Sequence, residues 1–126
     1  NNLRKPLIND MAGNFLPATY NIKLTKGNTW QSTFAIFKDS VAVNLSGAEV
    51  RIQIRRKATS TTAEVTITEA DGITVGGASS NEVTVSKRVN IAAGDYVWDM
   101  LTINSGVYKT YIGGKFEVVE EVTEPA

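Results

Sequence analysis

The 126-residue chain contains no cysteine and no histidine. The absence of cysteine excludes disulfides, thiolate metal sites and thiol nucleophiles. The absence of histidine removes the commonest general base and the commonest transition-metal ligand. We therefore predict that the protein is not an enzyme and that it requires no metal and no cofactor.

The chain also has no excess of positive or negative charge, because 13 basic residues balance 13 acidic ones and the formal net charge is zero. A neutral chain lacks the electrostatic footprint of a nucleic-acid-binding protein. No apolar run approaches the roughly 20 residues of a membrane span, and the N-terminus lacks the pattern of a signal peptide. We predict neither a nucleic-acid partner nor a membrane partner.

Residues 1–19 have little periodicity. Asparagine, glycine and proline interrupt two short apolar pairs, which are Leu7-Ile8 and Phe15-Leu16. This pattern predicts an extended N-terminal arm over residues 1–19, a β-domain over 20–123 and a short tail over 124–126. The arm either packs loosely on its own domain or uses Leu7, Ile8, Phe15 and Leu16 to bind a neighbouring subunit, because apolar side chains gain nothing from exposure to water.

From Tyr20 onward the apolar residues alternate with polar ones, as they do along a strand that is buried on one face. The clearest case is Val50–Arg55, in which Val50, Ile52 and Ile54 share a face. Gly and Asn-rich turns separate the strand-like segments, and Asn90–Gly94 is either a helical turn or a loop. The pattern predicts an all-β fold, an antiparallel immunoglobulin-like β-sandwich of about seven or eight strands.

The segment from Thr29 to Lys38 carries apolar residues on both of its faces. Phe34 and Ile36 share one face, and Ala35 and Phe37 share the other. Such a strand lies in the interior of a sheet or at an interface. Phe34 and Phe37 are therefore candidate interface residues.

A second hairpin-like region runs from Gly94 to Val118, with a turn at Asn104-Ser105-Gly106. Tyr96, Trp98 and Met100 share one strand face. This face is predicted to lie in the core, at a subunit interface or on a surface that stacks against a sugar. Under that last interpretation Trp30 and Trp98 are the candidate ligand platform.

Two carboxylates flank Trp98 in the same strand. Asp95 and Asp99 are separated by roughly 13 Å along an extended strand, which exceeds the roughly 5–9.5 Å of a glycosidase pair. Acid–base catalysis by this pair is therefore not expected. Asp99 is predicted to cap a loop or to pair with an arginine across the sheet, either Arg51 or Arg55.

Several of these residues resemble a known family. The matching features are Leu45-Ser46-Gly47 before the strand Val50–Arg55, then Gly94–Met100, Gly114–Val118 and the closing Val122-Thr123. They resemble the small β-sandwich domain of tailed-bacteriophage baseplate and tail-fibre proteins, of the type at the N-terminus of the baseplate upper protein. The resemblance covers roughly residues 20–123.

The resemblance implies a virion structural protein, assembled in the host cytoplasm, that acts as an adaptor in the tail, baseplate, fibre or head-tail region. Its expected partners are further copies of itself in a homo-oligomer and other virion proteins. The alternative function is a carbohydrate-binding or adhesin-type β-sandwich module, for which a glycan would be the partner.

Overall fold

The structure is a computed structural model, and it describes residues 6–10 and 16–123. These residues form strands connected by turns and loops, and they include no helix. The strands are β1 (Leu7–Asp10), β2 (Ala18–Thr19), β3 (Ile22–Thr25), β4 (Thr29–Lys38), β5 (Val41–Ala42), β6 (Glu49–Arg55), β7 (Val65–Thr68), β8 (Ile73–Gly76), β9 (Glu82–Arg88), β10 (Gly94–Asn104) and β11 (Val107–Val119).

The strands form two sheets. The first has the order β1-β4-β9-β8, with β5 paired to β4, and the second has the order β2-β11-β10-β6-β7, with β3 also paired to β11. The strand neighbours β4-β9-β8 and β11-β10-β6 correspond to the B-E-D and G-F-C arrangement of immunoglobulin-like sandwiches. We call the two sheets the BED sheet and the GFC sheet. The predicted immunoglobulin-like β-sandwich is confirmed by the two sheets and their strand order.

The N-terminal segment contributes strands to both sheets. Strand β1 pairs in parallel with β4, and β2 pairs in parallel with β11. Ile8 is only 6% exposed and belongs to the core. Residues 7–10 and 18–19 are therefore edge strands of the two sheets, which corresponds to the alternative in which the arm packs on its own domain. These segments also explain why the described residues contain eleven strands rather than about eight.

Aromatic side chains join the two sheets in the centre of the core. Trp30, from the BED sheet, makes edge contacts with Trp98 and Phe116 of the GFC sheet, with ring centroids 5.1 and 5.3 Å apart. Phe34 stacks on Trp98 at 5.9 Å. Aromatic pairs of this kind stabilise a fold by about 0.5–1.5 kcal/mol each beyond their burial. The prediction that Trp98 belongs to the core is confirmed.

The entry to β10 contains a further immunoglobulin-like feature. The Tyr96 hydroxyl donates a 2.6 Å hydrogen bond to the carbonyl of Ala92, four residues upstream. A tyrosine near the start of strand F that bonds back to the preceding loop is the tyrosine corner of such domains. The bond fixes the loop between β9 and β10, which contains no helical turn.

Two tight hairpin turns fix the strand register. Asp39 and Ser40 both have positive φ between β4 and β5, and Ser105 and Gly106 do so between β10 and β11. Two consecutive residues with positive φ form the type I′ turn, whose twist matches that of the flanking strands. The turn predicted at Asn104-Ser105-Gly106 is confirmed.

Candidate assembly surface and cleft

An apolar surface lies on the outer face of the BED sheet. Leu7 pairs with Ala35, and Phe37 pairs with Ala42. Directly paired residues lie on the same face of a sheet, and Ala35 and Phe37 alternate with core residues of β4, so all four side chains point away from the core. We call Leu7, Ala35, Phe37 and Ala42 the outer patch, in which Ala35 is only 5% exposed.

The two larger members of the outer patch differ in exposure. Leu7 is 70% exposed, whereas Phe37 is half-buried between its neighbours. Beside them, the backbone N–H of Ser40 donates a 3.0 Å hydrogen bond to Asn9 Oδ1, which ties β1 to the β4–β5 turn. The backbone of β1 beneath the patch is therefore fixed by its pairing with β4 and by this hydrogen bond to the β4–β5 turn.

The structure separates the predicted interface residues into groups. Leu7 and Leu16 are exposed, at 70% and 78%, and Ile8 is buried in the core. Phe34 is fully buried, so its prediction as an interface residue is wrong: it lies on the inner face of β4 and packs on the opposite sheet. Phe15 lies outside the described residues.

The predicted ligand platform is also wrong. Trp30 and Trp98 are each only 3% exposed, because both point into the space between the sheets. The Trp98 indole N–H donates a 2.9 Å hydrogen bond to the carbonyl of Tyr20, so its polar edge is used within the fold. Neither ring presents a face on which a sugar could stack.

A cleft of about 630 Å³ lies over the outer face of the GFC sheet. Its floor comes from β6, β10 and β11, and its walls come from the segment before β2 and from the β6–β7 loop. The lining residues are Pro17, Ala18, Thr19, Gln53, Arg55, Ala58, Val97, Trp98, Asp99, Gly113 and Gly114. This volume lies within the range of about 300–1,000 Å³ that is typical of small-molecule sites.

Two glycines shape one side of the cleft. A Cβ at Gly113 would lie 2.7 Å from the carbonyl oxygen of Trp98, and a Cβ at Gly114 would lie 2.6 Å from that of Tyr20. Side chains are therefore excluded at both positions. Gly113 pairs with Asp99 and packs tightly against it, because a Cβ at Gly113 would lie 3.0 Å from the Asp99 Cβ.

Arg55 and Asp99 are the charged residues that line the cleft. Partial burial, which removes water from around the charged form, raises the pKa of the Asp99 carboxyl above its ordinary value. The positive charge of the Arg55 guanidinium partly opposes that rise. Arg55 itself is held, because its Nη1 donates to the Ser60 carbonyl and its Nη2 donates to Gln53 Oε1 at 2.7 Å. Of the two arginines predicted to pair with Asp99, Arg55 is the one that shares the cleft with it and lowers its pKa, without forming an ion pair with it among the described residues.

Sequence reasoning did not find this cleft. The adjacent glycines in β11 were a usable signal, because a glycine within a strand often marks a close approach of another backbone. The position of the β6–β7 loop over Arg55, through Ser60, had no such signal.

The described ranges, 6–10 and 16–123, contain no group of three acidic, cysteine or histidine side chains that could hold a metal ion. They also contain no helix with the length and apolar character needed to cross a membrane.

No family model and no curated protein matches the chain. Three solved structures are similar to the chain at low identity. The chain is 17% identical to the ZIG-8 IG1 homodimer, with a TM-score of 0.39 and 83% of each chain covered. It is 19% identical to CopC from Methylosinus trichosporium OB3b, with a TM-score of 0.35, over 60% of this chain and 67% of CopC.

A third structure is an endo-fucoidan hydrolase of glycoside hydrolase family 107. The identity is 13% and the TM-score 0.45, and the match covers 88% of this chain but 14% of the hydrolase. No site residue is transferred from any of the three. The resemblance to phage baseplate domains stays a prediction.

Proposed function

We propose that the chain is a non-enzymatic structural domain of a tailed-phage virion, and that it binds further copies of itself through the outer patch. The observation that carries this proposal is Leu7, a large apolar side chain that is 70% exposed on a strand paired with β4. The sequence resemblance supplies the virion context.

The charge balance favours a second copy as the occupant of the outer patch. A large net charge would make identical chains repel one another, whereas this chain has a formal net charge of zero. The patch is small, so it would form the centre of a contact whose rim is polar. In a two-fold symmetric contact, each member of the patch is used twice.

Sedimentation velocity over a range of protein concentrations tests the association. We expect reversible self-association of the native chain and an association constant at least about tenfold lower for Leu7→Asp, because the substitution places a charge where about 1.5–3 kcal/mol of apolar burial is lost. Val107→Asp is the matched control, since Val107 is 64% exposed but lies on the β10–β11 hairpin.

Equal association of both variants, or a monomeric native chain at high concentration, would reject the outer patch as the contact. The thermal midpoint should not change for Leu7→Asp, which separates a contact effect from unfolding. The virion context has its own test: the neighbouring genes are expected to encode tail, baseplate or fibre proteins, and neighbours that encode metabolic enzymes would contradict it.

A further inference from the structure

The Asp99 carboxylate has unused hydrogen-bonding capacity. Its side chain is exposed in the cleft that Arg55 also lines, and it makes no hydrogen bond within the part of the chain that the structure describes. An ionised carboxylate offers about four acceptor positions. Its backbone is rigid, because β10 is paired with β6 on one side and with β11 on the other.

Arg55 provides donors at a fixed position beside this acceptor. Its two hydrogen bonds, to Ser60 and Gln53, hold the guanidinium in place. A guanidinium has five N–H donors, so three remain for a ligand. Acceptor and donors therefore lie in one cleft, the acceptor on a strand that is paired on both sides and the donors on a side chain that two hydrogen bonds hold.

The remaining properties of the cleft restrict the chemistry of the ligand. The charges of Arg55 and Asp99 cancel, which disfavours a ligand of large net charge of either sign. Pro17, Ala58 and Val97 supply apolar contact around the polar pair. A ligand with several hydroxyls and exposed C–H groups matches both features.

We infer that the cleft over the GFC sheet is a binding site for a neutral polyhydroxylated ligand, namely a saccharide unit. Asp99 accepts hydrogen bonds from ligand hydroxyls, Arg55 donates to ligand oxygens, and the apolar walls contact the ring. The site is independent of the proposed self-association, because the outer patch lies on the opposite sheet. It also does not involve Trp30 or the ring face of Trp98.

Chemical-shift mapping tests the site on the full chain. Amide spectra are recorded during titration with a panel of neutral mono- and oligosaccharides, and separately with n-butylamine as a simple cation. We expect a saccharide to shift the amides around Thr19, Gln53, Asp99 and Gly113, and we expect n-butylamine to leave them unchanged.

Asp99→Asn is expected to weaken saccharide binding about tenfold or more, because a hydrogen bond to a charged group is replaced by a weaker neutral one. Asp95→Asn is the matched control, since Asp95 is exposed on the same strand outside the cleft. Thermal melting of Asp99→Asn establishes that the variant is folded. Should that variant not fold, Arg55→Met provides the same comparison.

Three results would overturn the inference. One is a panel that causes no shifts in the cleft. The second is saccharide affinity that is equal in Asp99→Asn and the native chain. The third is binding of n-butylamine without saccharide binding, which would identify the cleft as a site for an amine or a lysine side chain.

Discussion

Gly114, in β11, lies in close contact with the chain between β2 and β3. A Cβ added there would lie 2.6 Å from the carbonyl oxygen of Tyr20 and 2.7 Å from Asn21 Oδ1. Both oxygens are hydrogen-bond acceptors: Tyr20 O receives the Trp98 indole N–H at 2.9 Å, and Asn21 Oδ1 receives the backbone N–H of Lys115 at 2.9 Å. Gly114→Ala must therefore move a segment that makes two long-range bonds.

The expected cost follows from those two bonds. Trp98 is 3% exposed, so an indole N–H that loses its partner remains largely without water and costs about 1–3 kcal/mol. The bond from Lys115 is more exposed and contributes about 1 kcal/mol. We expect Gly114→Ala to lower the free energy of unfolding by about 2–4 kcal/mol, a large part of the total for a domain of this size.

Gly76→Ala is the matched control, because no atom lies within 4 Å of the position that its Cβ would occupy. Alanine restricts the unfolded chain more than glycine does, so this substitution should be neutral or stabilise the protein by up to about 1 kcal/mol. The two variants thus make the same chemical change in opposite surroundings.

Urea unfolding followed by tryptophan fluorescence measures both variants, and a double-mutant cycle identifies the cause. Trp98→Phe removes the indole donor, so Gly114→Ala should cost about 1 kcal/mol less in that background than in the native chain. A loss below about 0.5 kcal/mol for Gly114→Ala, or a cost that is unchanged by Trp98→Phe, would refute the explanation.

Three further outcomes are expected. Tyr96→Phe should lower the free energy of unfolding by about 1 kcal/mol in urea titrations, because it removes the hydroxyl that bonds to Ala92; no change would mean that the corner bond is not stabilising. Phe34→Ala should cost about 3–5 kcal/mol, since the side chain is fully buried, and a native-like urea midpoint would contradict that burial. Because the folded-state pKa of Asp99 is raised, the folded chain binds more protons than the unfolded chain between the two pKa values, and stability falls as pH rises through that interval. The free energy of unfolding of Asp99→Asn, relative to that of the native chain, should therefore be higher at neutral pH than at acidic pH. The same relative value at both pH values would contradict the raised pKa.

The periodicity of the sequence was sufficient to predict the class of fold. Alternation in Val50–Arg55 predicted a half-buried strand, and the structure buries Val50, Ile52 and Ile54 completely. The apolar residues on both faces of β4 predicted an interior strand or an interface, and β4 lies between β1 and β9. Both predictions depend only on the order of apolar and polar residues within one short segment, and a two-residue period in that order indicates a strand.

The candidate sites could not be predicted in the same way. Phe34 and Phe37 are three residues apart on one strand, yet one lies in the core and the other on the outer face. Alternation separates the two faces but does not identify the one that the second sheet covers. The same limit applies to Trp30 and Trp98, whose burial depends on contact between residues 68 positions apart.

By itself, the sequence determined the all-β class, the turns and the absence of cysteine and histidine chemistry, because each follows from residue type or short-range spacing. Only the tertiary structure decided that Leu7–Asp10 completes a sheet, that Leu7 remains exposed, and that Arg55 and Asp99 share a cleft. The physical reason is that strand pairing and the packing of two sheets bring distant segments together, and their energies depend on the whole chain rather than on any local pattern.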